Sequence, residues 1–139
     1  MSETTTKQRP GTMRLIDAVG QSMPPAAWVS ILHRFSGIIM FLLLPFIIWV
    51  FDRSLESDLG YQYIADVFAG GIGPVRGWFF KLVALALIWS YLHHFIAGVR
   101  HLWMDATHSV SKEFGRVSAL VTLGLSIVLT LALGYKLFF

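Results

Sequence analysis

The stretch LVALALIWSYLHHFIAGV, residues 82–99, runs for 18 residues without an Asp, Glu, Lys or Arg. Its reading decides the fold class. A hydrocarbon core about 30 Å thick is crossed by roughly 20 helical residues rising 1.5 Å each, and the uncharged flanks of this run supply the remainder. Two further runs share the property: 35–51, with 17 residues, and 117–135, with 19. Three such runs in a chain of 139 residues point away from a soluble fold, and the 55% apolar content and mean hydropathy of +0.65 agree. The expectation is an all-α membrane protein with three transmembrane helices.

Working outward, residues 1–27 are expected to be an N-terminal cytoplasmic segment, polar and basic, with 13–19 able to form an amphipathic turn or two on the membrane surface. Pro24 and Pro25 stop any helix there. The first span is placed at 28–51, with a kink at Pro45. An outer loop follows at 52–77, the second span at 78–103, a cytoplasmic loop at 104–116 and the third span at 117–138. The first 21 residues lack the apolar stretch of a signal peptide, so the first span is expected to stay uncleaved.

Basic residues set the orientation. Lys7, Arg9, Arg14, Arg34, Arg100, Lys112 and Arg116 lie on one side, against Arg53, Arg76, Lys81 and Lys136 on the other. That bias places the N-terminus in the cytoplasm and the C-terminus in the periplasm. A pI near 9.5 reflects these flanking charges and not a nucleic-acid surface, since no soluble basic domain exists to carry one. Trp28, Trp49, Trp78, Trp103 and Tyr135 fall at span ends, as interfacial aromatics do; Trp89 falls near mid-membrane.

The chain has no cysteine, which excludes disulfides, a Cys zinc site, iron–sulfur ligation by this chain and covalent c-type haem attachment. The glycines Gly70, Gly71 and Gly73 do not match the spacing of a dinucleotide loop.

Chemistry concentrates on the second span. Ser90, His94, Gly98 and His101 fall within about 40° of His94 on a helical wheel, and Asp105 joins them if the helix continues. A polar stripe of this kind faces protein, a cofactor or a wet cavity. His93 points about 100° away. The first span supplies Ser30, Arg34 and Gly37 at i, i+4 and i+7, with His33 alongside. His94 lies roughly 10 Å deeper than His101, below a rim holding His33, Arg34, Arg100 and His101.

Two readings of His94 stand at this point. One is a histidine hydrogen-bonded across a helix interface. The other is a b-type haem ligand, with rim cations neutralising the propionates. Ser30 and Arg34 likewise fit either a quinone carbonyl site, with Asp105 delivering protons, or a helix cap and a side chain snorkelling to lipid headgroups. Ser118, Thr122, Ser126, Thr130 and Gly134 recur every fourth residue on the third span, a small-residue packing seam.

Two strings carry a resemblance. Ser30-Ile31-Leu32-His33-Arg34-Phe35-Ser36-Gly37 resembles the S-I-L-H-R-x-[ST]-G signature of the cytochrome b556 subunit family of succinate dehydrogenase. His94-Phe95-Ile96-Ala97-Gly98-Val99-Arg100-His101, followed by Asp105, resembles that family's H-x-x-x-G-x-R-H-x-x-x-D signature, and Lys7-Gln8-Arg9-Pro10 its N-terminal basic motif. Some members continue R-P-x-S-P-H-L where this chain has Arg9-Pro10-Gly11-Thr12-Met13-Arg14-Leu15, so the N-terminal segment departs from the pattern.

The resemblance implies a membrane anchor of complex II in a bacterial inner membrane, part of a heteromeric helical bundle. Its partners are a second hydrophobic anchor, an iron–sulfur subunit and a flavoprotein. It implies haem b shared with the second anchor, with His94 as one axial ligand and His33, Arg34, Arg100 and His101 near the propionates. It implies ubiquinone as substrate, bound by Ser30, Arg34 and Asp105. The chain is then no enzyme on its own, but an electron-transfer subunit. Two other classes are an anchor that binds neither haem nor quinone, and a proton-conducting subunit using His94, His101 and Asp105. The second of these is disfavoured because the ionisable stripe stops near His94.

Overall fold

The computed structural model describes residues 23–108 and 111–139. The basic motif at 7–10 and the surface turns expected at 13–19 lie outside the described residues. Among the described residues three helices are long and apolar enough to cross a membrane, and the chain is a multi-pass membrane protein.

Helix α1, Pro25–Leu42, opens on the Pro24–Pro25 pair. Pro25 sits in the first turn, where a missing N–H costs nothing. At Leu43 the backbone leaves helical geometry, with φ −91° and ψ 2°, and α2, Leu44–Glu56, carries the chain onward. Pro45 is the cause: it has no N–H to return to Phe41, and its ring crowds that carbonyl. The expected kink is therefore a break in the assigned helix two residues before the proline.

Residues 52–77 hold more structure than a loop. Ser57 caps α3, Asp58–Ala69, by accepting from the Gly60 N–H at 3.1 Å, with Asp58 in the first turn against the helix dipole. A two-stranded antiparallel hairpin follows, β1 (Gly71–Ile72) and β2 (Val75–Arg76), pairing Gly71 with Arg76 and Ile72 with Val75. Gly71 and Gly73 adopt φ of +105° and +56°, the conformations the tight reversal at Gly73–Pro74 requires. The glycine cluster is turn chemistry.

Helix α4, Gly77–Thr107, is 31 residues long and ends with His108 in the left-handed region at φ 53°. It therefore continues past Asp105. Helix α5, Lys112–Phe138, is capped by Ser111, which accepts from the Phe114 N–H at 3.2 Å. Helix α4 packs against both α1 and α5, and α1 also touches α5.

Small residues set the α4–α5 contact. Ala119, Thr122, Ser126, Thr130 and Gly134 are the buried residues of α5, so the every-fourth-residue seam faces the bundle. Thr122 and Thr130 turn their hydroxyls back to the Ser118 and Ser126 carbonyls at 2.9 and 2.7 Å, hiding polar atoms while the backbones approach. The remaining faces carry exposed Leu, Ile, Val and Phe side chains, as expected of a surface that meets hydrocarbon or another apolar helix.

Candidate functional site

Helices α1 and α4 run antiparallel, which brings 33–37 beside 94–101. The imidazoles of His33 and His94 stack with ring centroids 4.0 Å apart and an interplanar angle of 16°. The His101 ring meets His33 edge-on at 5.4 Å. The three rings thus form one column. The depth difference between His94 and His101 exists along α4, and His33 on α1 bridges it.

His94 is held closely by α1. Its Nδ1 lies 3.0 Å from the His33 backbone oxygen and 3.3 Å from the Ser36 hydroxyl. Ser36 is fully buried and donates to the same His33 oxygen at 2.8 Å. Gly37 leaves the room the ring needs: a Cβ built there would sit 3.2 Å from Cε1 and 3.4 Å from Nδ1 of His94. On α4, a Cβ at Gly98 would lie 3.6 Å from the His33 Nε2, an ordinary contact. His94, Gly98 and His101 therefore face helix α1, the protein-facing alternative for the polar stripe.

His93 belongs to a different interface. It is fully buried, with its Nδ1 3.3 Å from the Ser126 hydroxyl of α5 and its ring stacked on Trp89 at 5.5 Å. Its Nε2 is buried without a hydrogen-bond partner among the described residues. The mid-membrane Trp89, unexplained as an interfacial aromatic, covers this histidine.

Arg100 is also buried. Its Nε donates to the Ser118 hydroxyl at 2.9 Å and an Nη to the Gly115 carbonyl at 3.1 Å, so it fastens α4 to the start of α5. Arg34 is exposed on α1, and Asp105 is exposed in the last turns of α4. Ser30 is half-buried one turn before Arg34. It lies inside α1, more than a turn beyond the Pro24 cap, so the capping reading of Ser30 fails. Among the described residues, no hydrogen bond or ion pair joins Ser30, Arg34 and Asp105 to one another.

Outward from His94, Leu87 and Tyr91 occupy its face of α4 two turns and one turn away. With Met40, Leu44, Ile47, Ile88, Leu92 and Leu133 they line an apolar groove of about 550 Å³. The site is thus graded: an apolar groove, a partly exposed imidazole anchored from behind, two further imidazoles in the same column, and an exposed arginine next to His33 in α1. Neither Ser36 nor the groove is marked in the motif-based residue set. Ser36 stands in the first string as a small residue, and only the helix crossing reveals what its hydroxyl reaches.

The family model for the succinate dehydrogenase/fumarate reductase transmembrane subunit matches residues 6–133. The chain belongs to that family. A succinate dehydrogenase cytochrome b556 subunit from Coxiella burnetii is 32% identical over 104 residues, covering 75% of this chain and 78% of the relative. The cytochrome b556 subunit from Paracoccus denitrificans is 27% identical over 107 residues, 77% of each chain. The cytochrome b560 subunit from Reclinomonas americana is 29% identical over 103 residues, 74% of this chain and 70% of its own. The match to this transmembrane-subunit family covers α1 and α4 in full and α5 as far as residue 133.

Proposed function

We propose that this chain is the haem b- and quinone-binding anchor of a succinate:ubiquinone oxidoreductase, linking an iron–sulfur subunit to ubiquinone in the tricarboxylic acid cycle and respiratory chain. The observation that carries the reading is the 3.0 Å contact between Nδ1 of His94 and the His33 backbone oxygen. A carbonyl oxygen only accepts, so the His33 oxygen at 3.0 Å requires the proton on Nδ1 of His94. Nε2 then carries the lone pair, and among the described residues the hydrogen bonds of this ring are made at Nδ1. An iron-ligating imidazole needs that division of labour, one nitrogen free for the metal and the other N–H held by an acceptor.

The residues present fit haem b. The apolar groove beyond His94 suits a macrocycle, and Arg34, His33 and His101 lie toward the side where carboxylates would need cations. When bound, haem b supplies a one-electron carrier between the clusters and the quinone. The names of the relatives, cytochrome b556 and b560 subunits, support the cofactor. A second residue to hold the iron would come from a second hydrophobic anchor, and an iron–sulfur subunit and a flavoprotein would complete the complex.

For the quinone, Ser30 and Arg34 present a hydroxyl and a guanidinium one turn apart on α1 and donate to a carbonyl oxygen. Asp105, exposed at the inner end of α4, passes protons from the cytoplasmic phase. The N-terminus is cytoplasmic, the C-terminus periplasmic, and the membrane a bacterial inner membrane.

A second reading, an anchor without haem, is favoured by one observation: Arg100 is spent on helix packing and not left free at a rim. A reduced-minus-oxidised spectrum of the purified complex containing both anchors separates the two. A low-spin b-type spectrum supports the proposal, and an intact, quinone-active complex with no haem supports the plain anchor.

A further inference from the structure

The way α1 grips His94 says more than that the ring is anchored. Ser36 has one proton, and it is given to the His33 carbonyl at 2.8 Å. Its oxygen lone pairs are therefore what Nδ1 of His94 meets at 3.3 Å. The single Nδ1–H is shared between two acceptors, the His33 oxygen and the Ser36 oxygen, both delivered by one turn of α1. On the same turn Gly37 sets the closest approach, because any Cβ would press on Cε1 and Nδ1 from one side.

We propose that Ser36 and Gly37 are positioning residues for the His94 imidazole, Ser36 setting the electron-donating strength of the ring and Gly37 its rotation. The inference rests on the haem reading above. Two acceptors on Nδ1–H draw the proton outward and raise the basicity of Nε2. A more basic ligand favours the oxidised metal. Loss of the Ser36 oxygen therefore moves the potential of a bound haem upward. Burial makes the effect local, since Ser36 has no solvent exposure and water cannot replace its oxygen without a cavity. Gly37 acts through shape alone: at 3.2 Å from Cε1, an added methyl forces the ring to turn by a few tenths of an ångström.

The test uses the assembled, haem-replete complex carrying Ser36→Ala, Ser36→Thr or Gly37→Ala. The expected result for Ser36→Ala is a more positive haem midpoint potential with haem content retained. Ser36→Thr keeps the hydroxyl and returns the potential toward the parent. Gly37→Ala is expected to shift the low-spin electron paramagnetic resonance signal, which reports ligand-plane orientation. Parental potential and parental resonance in Ser36→Ala and Gly37→Ala, at full haem occupancy, overturn the inference. Should Ser36→Ala fail to assemble, Ser36→Cys, of similar size but a weaker acceptor, takes its place: a more positive potential is expected, and a parental potential with a parental Gly37→Ala resonance overturns the inference. His94→Ala in parallel separates the two levels. Haem lost there with silent Ser36 and Gly37 variants sinks this inference alone, whereas haem kept there sinks the ligand assignment beneath it.

Discussion

Nδ1 of His94 and the backbone oxygen of His33 lie 3.0 Å apart across the α1–α4 crossing, and the same two residues stack their rings at 4.0 Å. One residue of α1 thus fixes both the tautomer and the plane of one residue of α4. The adjacent His93 shares none of this, being turned to Ser126 on α5.

That contrast gives the first prediction. His93→Ala removes a buried side chain and its Trp89 stack, and is expected to destabilise the bundle by about 2–4 kcal/mol while leaving the haem spectrum in place. Thermal inactivation of the purified complex, followed alongside its spectrum, checks it. Loss of haem at unchanged stability would reverse the roles of the two histidines.

Quinone chemistry is assigned to the exposed side of α1. Ser30→Ala or Arg34→Leu is expected to lower quinone reduction by about tenfold or more, the scale of a lost charge-assisted hydrogen bond. Succinate oxidation with an artificial acceptor should change little. Equal loss of both activities counts against a quinone site there.

Arg100 makes a packing prediction. Arg100→Leu removes the guanidinium that donates to both the Ser118 hydroxyl and the Gly115 carbonyl, at a cost of about 1–3 kcal/mol. A double-mutant cycle with Ser118→Ala should show coupling between the two sites; additive effects would mean the bond contributes nothing.

The seam on α5 can be overfilled. A Cβ at Gly134 would lie 2.8 Å from Cδ1 of Leu85, so Gly134→Val is expected to cost about 1–3 kcal/mol and lower the melting temperature of the complex. The neighbouring Leu133→Ala gives a smaller loss, because that side chain is 46% exposed and not packed in the seam. A neutral Gly134→Val would place the close contact elsewhere.

The absence of native cysteine makes topology readable. With the N-terminus inside, a cysteine replacing Leu59 on α3 reacts with a membrane-impermeant maleimide from the periplasmic side, and one replacing Thr107 does not. The reverse labelling pattern inverts the orientation.

Much of this architecture was legible in the chain itself, because its physics is one-dimensional. Charge-free runs locate the long helices, Pro45 locates the break, and a four-residue repeat of small side chains locates the seam. The helix at Asp58–Ala69 and the hairpin after it do not show in the composition of a polar connector. Ser57 followed by Asp58 is an N-cap signal that was available. At the site, helix phase separated His94 from His93 correctly, since phase depends only on spacing. It assigned no partners. Arg100 was grouped with the rim by depth, yet it faces α5, and Ser36 was passed over, because hydrogen bonds across a crossing depend on how two helices are rotated against each other. No single helix carries that rotation in its own sequence.

The central claim is that His94, through Nε2, holds haem b. The most direct measurement is the reduced-minus-oxidised spectrum of the co-expressed, haem-replete complex carrying His94→Ala, with His93→Ala as its control. The account predicts loss of the bis-histidine b-type spectrum for His94→Ala and its retention for His93→Ala. A full spectrum in His94→Ala contradicts it.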